Sequence, residues 1–288
     1  MNRIIIILIF AVLVSCSERI SISDADSLGI RFKPKIMEER FYLAQNVLDS
    51  IILKKKIYEN RYEFDYYSRY KSIEKNLILN INDFTLLNDS INTDSLMNVF
   101  PFSFKENEYI LTKFNYLSDT LLLEEYFDRN GKQISSINKI YGNGRILNEK
   151  QFLTDGTVVS KINYSYDTRN RLVHKITFME NGYTETHYSY SMDEKTETEN
   201  SSSCIYRYDV HGKIISKKIY SGVKQIAETT YGYNINGDMV AETEINVNGE
   251  VEKNRYEYVY DNKNNWKVCV EYNFSGNIFV RTRNITYY

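Results

Sequence analysis

Hydrophobic and polar positions alternate with a period of two over most of the chain beyond Phe100-Pro101. Met239, Ala241, Thr243, Ile245 and Val247 share one parity; Glu242, Glu244 and Asn246 share the other. Trp266, Val268, Val270, Tyr272 and Phe274 oppose Lys267, Cys269, Glu271 and Asn273, and Leu172, His174, Ile176 and Phe178 oppose Val173, Lys175 and Thr177. Successive side chains of a strand point to opposite faces, so this pattern predicts strands with one buried apolar face and one wet face. Turn signals such as Asn130-Gly131, Asp155-Gly156, Asn181-Gly182, His211-Gly212, Asn236-Gly237 and Ser275-Gly276 separate the strands. Asn-Gly and Asp-Gly pairs supply the positive φ angles that tight hairpins need. The expectation is mainly β: a repetitive antiparallel meander over 101–288, curled or open, with a small N-terminal α-helical segment. Its apolar face would be covered by curling, by a second layer or by that helix. The polar run Met192 to Ser203 reads as a longer, mobile loop.

The N-terminal third has a different period. Met37, Phe41, Ala44, Leu48 and Ile51 recur at three- and four-residue spacing, with Glu38, Glu39, Gln45 and Lys54 between them. That predicts an amphipathic helix from Lys35 to Tyr58, packed on the protein's own sheet. Tyr62 to Lys75 fits a continuation of helix and Leu77 to Leu87 a strand, so 35–100 is assigned as a helical or mixed segment. Residues 17–34 are polar and serine-rich and read as a tether ending at Pro34. Met1-Asn2-Arg3, an apolar run from Ile4 to Val14, then Ser15-Cys16 form a secretory signal peptide, too short for a comfortable transmembrane helix.

Leu13-Val14-Ser15-Cys16 resembles the lipobox of bacterial lipoproteins. The resemblance implies cleavage after residue 15, acylation of Cys16 as the lipid attachment residue, and a membrane partner reached through that anchor. Ser17 stands where Asp would signal inner-membrane retention, so the family analogy favours the outer membrane; the leaflet is left open.

A second pattern is a repeat. Tyr164-Ser165-Tyr166-Asp167, Tyr206-Arg207-Tyr208-Asp209, Tyr231-Gly232-Tyr233-Asn234 and Tyr258-Val259-Tyr260-Asp261 each lead into a turn, with a weaker copy at Phe127-Asp128. The Asp or Asn suits turn amides as an acceptor, and Gly or Asn suits the left-handed position that follows. The unit resembles the YD-repeat (Rhs-like) family of bacterial surface and secreted proteins. That implies a ribbon of β-hairpins that curls. The handful of repeats, with no toxin-like domain after them, implies the fold and not the cargo shell of that family's largest members.

Composition adds 26 Tyr against 12 Gly and 2 Pro, and both prolines precede the repeats. A formal net charge of −2 gives no electrostatic footprint for nucleic acid. Cys204 and Cys269 fall about five strand steps apart, too far for a disulfide in an open ribbon, and are expected as free thiols. His174, His187 and His211 show no metal spacing. Asp167, Asp209 and Asp261 occupy equivalent turns and read as turn caps rather than calcium ligands. The Tyr-x-Tyr pairs and Trp266 are assigned to the apolar parity, as a structural aromatic ladder.

No catalytic constellation, metal set or cofactor motif emerges, so no enzyme activity and no cofactor are expected. The reading is an outer-membrane-anchored lipoprotein acting as a non-enzymatic envelope binding or scaffold module, its partner a polysaccharide or an envelope protein. The alternatives are a glycan-binding lipoprotein, favoured by the tyrosines, and an envelope hydrolase with a site between the 61–120 region and the sheet.

Overall fold

The computed structural model describes residues 28, 30–47, 50–77 and 109–288. The signal peptide, Cys16, most of the tether and the strand expected beyond Leu77 lie outside the described residues. The strands are β1 (Pro34–Val47), β2 (Ser50–Phe64), β3 (Tyr70–Leu77), β4 (Tyr109–Ser118), β5 (Leu121–Phe127), β6 (Gln133–Gly142), β7 (Arg145–Leu153), β8 (Val158–Tyr166) and β9 (Leu172–Met179). They continue as β10 (Gly182–Tyr190), β11 (Glu194–Glu199), β12 (Ser202–Tyr208), β13 (Ile214–Ser221), β14 (Lys224–Tyr233), β15 (Met239–Asn246), β16 (Val251–Tyr260), β17 (Trp266–Tyr272) and β18 (Ile278–Tyr287). Each pairs antiparallel with its neighbours in sequence, and β1 pairs with β18. The sheet is therefore an 18-stranded closed barrel rather than an open ribbon. Closure removes both free edges, which would otherwise template aggregation.

No helix occurs among the described residues, and the helix expected over 35–58 is replaced by β1 and β2. Met37 and Phe41 are four apart, which suits a helix, but they also share parity with Glu39 and Leu43. All four are buried while Ile36, Glu38, Arg40 and Tyr42 between them are not. Glu39 hid the period of two because its charge is answered from another strand. Two register shifts, at Phe41/Tyr42 and Leu43/Ala44, place the extra residues Ile57 and Lys54 on β2, while β1 keeps an unbroken register with β18 from Ile36 to Ala44. Tyr62 to Lys75 likewise forms the end of β2, a turn and β3. The boundary at 100/101 thus falls between strands of one sheet. The expected loop at Met192 to Ser203 is mostly β11 and the start of β12: Lys195, Glu197 and Glu199 alternate with Thr196 and Thr198.

The inward face is the second correction. The buried parity of β15 and β16 carries Glu242, Tyr256 and Tyr258, whereas Ala241, Ile245 and Val259 point outward and are exposed. On β17 the inward residues are Trp266, Cys269 and Glu271, with Lys267 bulged out between the first two. On β9, Leu172 and Lys175 face in, and His174, Ile176 and Phe178 face out. The Tyr-x-Tyr pairs therefore lie on the parity opposite to the apolar one. A ring this wide can be walled by tyrosines and ion pairs, while outward apolar residues such as Ile140, Ile245 and Val259 stay exposed.

The turns match the expected chemistry. In the Asp167 turn, the Asn170 amide donates to the Asp167 carbonyl and the Asp167 amide to the Arg171 carbonyl. Asp167 Oδ1 accepts from the amides of Arg169 and Arg171, both at 2.9 Å. The same cap recurs at Asp65, Asp128, Asp209 and Asp261. The fourth residue takes positive φ, 70° at Asn170 and 77° at Gly212. The Tyr-x-Tyr pairs approach one rim, and a tyrosine from three of them, joined by Tyr190 of β10, reaches back across the strands. Tyr166, Tyr190, Tyr233 and Tyr258 donate to the carbonyls of Ile146, Leu172, Ile214 and Met239 at 2.7–2.8 Å. This is the structural ladder expected from the repeat, built on the inward face.

Where the ring closes, an ion-pair and aromatic seam replaces an aliphatic core. Glu39 on β1 and Arg283 on β18 meet at 2.8 Å, each side chain about 9% exposed. Arg283 also lies 3.5 Å over the Trp266 ring and donates to the Leu28 carbonyl at 2.9 Å. Leu28 and Ile30, ahead of β1, pack with Met37, Tyr62 and Phe64, so the chain enters β1 from inside the mouth of the barrel.

Candidate functional site

The outer wall is charged well away from the rims. Glu38 opposes Arg61 and Arg40 opposes Glu59 across β1 and β2, with contacts of 3.1 and 2.5 Å, and Lys218 opposes Glu228 across β13 and β14. No described helix is long and apolar enough to cross a membrane, and a barrel would cross with its strands. A charge facing lipid at mid-bilayer costs about 2–4 kcal/mol, and the same wall also exposes apolar side chains, among them Ile140, Phe178, Ile245 and Val259.

The inward face carries a dense set of carboxylates, lysines and tyrosines. Most of its carboxylates are held by the fold itself. Glu124 pairs with Lys139 at 2.7 Å and accepts from Tyr126, Glu149 accepts from Tyr164, and Glu271 pairs with Arg281 at 3.1 Å. Glu197, on β11, differs. It is 3% exposed, and neither carboxylate oxygen has a hydrogen-bond partner. Register places Tyr188 of β10 and Cys204 of β12 beside it. Lys195, Lys175 and Lys217 surround it, and Glu199 adds a like charge. Lys195 Nζ lies 4.6 Å over the Tyr188 ring, with Tyr206 close by at 5.9 Å. A buried polar group without a partner marks a place where an external polar group can bind. Aromatic faces, ammonium donors and a carboxylate acceptor on one concave wall suit a hydroxyl-rich ligand.

Burial raises the Glu197 carboxyl above its ordinary value, against the pull of the lysines. Burial likewise raises Glu271, outweighing Arg281. A carboxyl raised in the folded state costs stability progressively as pH rises from its unfolded to its folded pKa, and the cost is complete above the folded one. Turn caps behave in the opposite way: the Arg171 amide lowers Asp167 and the Lys213 amide lowers Asp209. Their contribution is present above the unfolded value of about 3.9 and is lost as pH falls through the folded one. The melting temperature is thus expected to rise as pH falls through the raised Glu197 and Glu271 values toward the ordinary carboxyl range, and to fall below about pH 4. Glu197→Gln should raise it at pH 7 and flatten the rise. A lower value at pH 7 for the variant would show that the lysines fully compensate the charge.

The other residues singled out from the sequence fall as follows. Neither Cys204 nor Cys269 is in a disulfide. They lie on β12 and β17, and five steps around an 18-stranded ring separate them by roughly 20 Å. Burial raises the Cys269 thiol, which lowers its reactivity. Asp167, Asp209 and Asp261 cap separate turns and do not converge. His211 lies in the Asp209 turn, while His174 and His187 are brought together on the outer wall. Cys16 lies outside the described residues. The Glu197 group was missed because β11 carries no apolar signal at all.

No family model matches the chain, and no curated protein does. Among solved structures, it is similar to a porin-like protein from Bacteroides uniformis ATCC 8492, at 10% identity and a TM-score of 0.44, over 88% of this chain and 96% of that one. It is also similar to part of the TcdB2-TccC3-Cdc42 and TcdB2-TccC3 assemblies, at 13% and 15% identity and a TM-score of 0.31. These matches cover 79% and 84% of this chain and only 12% and 13% of those chains. Likenesses this remote carry no functional argument, and the reading rests on the barrel's own walls.

Proposed function

We propose that the protein is a lipid-anchored envelope protein of the outer membrane whose YD-repeat-like barrel is a non-enzymatic binding module, with a polysaccharide as its ligand. The observation that carries this is the inward-facing Glu197 group: a buried carboxylate without a hydrogen-bond partner, set among Lys175, Lys195, Lys217, Tyr188 and Tyr206. Sugar rings present apolar faces for tyrosines and hydroxyls for lysine and glutamate. The non-enzymatic reading is supported by the neighbouring acids, which are engaged in the wall; Glu199, for example, accepts from Thr186 at 2.9 Å. The ion pairs on the outer wall suit a barrel that hangs from a membrane by an acylated cysteine rather than one that spans it.

The test is a binding screen of the purified protein against neutral and acidic polysaccharides. Binding to one glycan class is expected, weakened at least about tenfold in Lys195→Ala/Lys217→Ala, which removes two donors worth roughly 1 kcal/mol each; because both lysines offset the Glu197 charge, the variant's melting temperature should also fall, and circular dichroism at the assay temperature verifies that it is folded. Absence of binding across the panel would sink the glycan reading and leave an envelope protein as partner, to be sought by cross-linking in cells. The anchor is tested separately. Cys16→Ala is expected to abolish fatty-acid labelling and move the protein to the soluble fraction. Continued labelling would remove Cys16 as the attachment residue.

A further inference from the structure

The hairpin of β9 and β10 turns at Glu180-Asn181, and that register sets His174 directly opposite His187 on the outer wall. Glu185, two residues before His187, lies on the same face. The two imidazoles stack with ring centres 4.5 Å apart and planes within 12°. Glu185 Oε2 lies 3.7 Å from His174 Nε2 and 3.6 Å from His187 Nε2. The three donor atoms all fall within 4.8 Å of one another. Around a tetrahedral zinc ion with bonds near ~2.1 Å, donor atoms sit about 3.4 Å apart. Both Glu185 distances are close to that edge, and a small turn of the exposed His187 ring closes the remaining one.

A second observation points to a ligand. His174 Nε2 is buried and has no hydrogen-bond partner. An imidazole nitrogen left without a partner is costly unless something binds it, and the His174 side chain as a whole is 26% exposed. The neighbours across the strands are small: Ser165 faces His174 and Thr198 faces His187, so neither blocks approach from solvent.

We propose that His174, Glu185 and His187 form a binding site for a divalent first-row transition metal, zinc above all. Two imidazoles and one carboxylate are borderline donors that suit zinc, copper or nickel and not the hard, oxygen-seeking cations magnesium and calcium. Three ligands from one hairpin leave at least one coordination position open to water. The ion would tie β9 to β10 across the outer wall, independently of whatever binds the inward face.

Zinc titration of the purified protein by calorimetry tests the site. One equivalent is expected to bind, with a higher melting temperature in its presence. His174→Ala and His187→Ala should each weaken binding more than about tenfold, and Glu185→Gln by about tenfold, a scale set by what even indirect support of a metal is worth. His211→Ala should leave binding unchanged. Metal-free melting curves verify that the variants fold. Copper loaded in place of zinc gives a second readout: its electron paramagnetic resonance spectrum should show coupling to two imidazole nitrogens, lost in the His174→Ala/His187→Ala double variant. No saturable site at about millimolar zinc, far weaker than protein zinc sites, or binding and spectra that survive the double substitution, would overturn the proposal.

Discussion

Arg283→Met is expected to destabilise the barrel by about 3–5 kcal/mol, because it leaves Glu39 as a buried charge without its cation. Glu39 keeps the Tyr58 hydroxyl at 3.2 Å, which cannot neutralise it, and the field of Arg281, which is already paired with Glu271. Trp266 loses the guanidinium over its ring, and the Leu28 carbonyl loses its donor. The pair joins the first strand to the last, so the damage falls on the contact that closes the ring. Denaturant titration should show a lower midpoint, with a drop in melting temperature on the order of 10 °C. The double variant Glu39→Met/Arg283→Met should recover much of the loss, since replacing a whole buried ion pair with apolar side chains is often neutral. If the single variant melts within about 2 °C of wild type, a shift worth less than ~1 kcal/mol, the seam is not where stability is concentrated.

Phe41→Ala should cost a similar amount, about 3–5 kcal/mol, for a different reason. Phe41 is 1% exposed and stacks on Phe279 at 5.3 Å and on Tyr58 at 5.1 Å, joining β18, β1 and β2 in one aromatic layer. Truncation leaves a cavity beneath the Arg281 guanidinium, which lies over the same ring. Phe41→Leu, which refills most of the volume, should lose clearly less. Equal losses for the two variants would mean that the aromatic stacking, and not the filled space, carries the energy. Unfolding monitored by circular dichroism decides between them.

The repeat was legible because its chemistry is local. Asp167 caps a turn that begins at its own backbone, and Asn170 supplies the left-handed residue three positions on. Strand β11 was not legible, since Lys195, Glu197 and Glu199 alternate with threonines and offer no apolar stripe. Its inward charges are tolerated only because Lys175 and Lys217 arrive from β9 and β13. β1 was mistaken for a helix for the same reason. Glu39 occupies a buried position that a hydrophobic count scores as exposed, and its partner lies 244 residues away. The His174–Glu185–His187 group shows no motif along the chain because a hairpin register, not a spacing, assembles it.

By itself the sequence determined the β-rich meander, the places and chemistry of most turns, and the pairing of tyrosines into a ladder. Each depends on residues within one hairpin, where backbone preference and short-range hydrogen bonds decide. Only the tertiary structure decided that the meander closes, that the N-terminal third supplies strands to the ring, and which face looks inward. Those outcomes rest on pairings between β1 and β18 and on charges that cancel across strands far apart in the chain. A period of two announces that a strand has two faces. Which face is enclosed depends on the direction in which the finished ring curves.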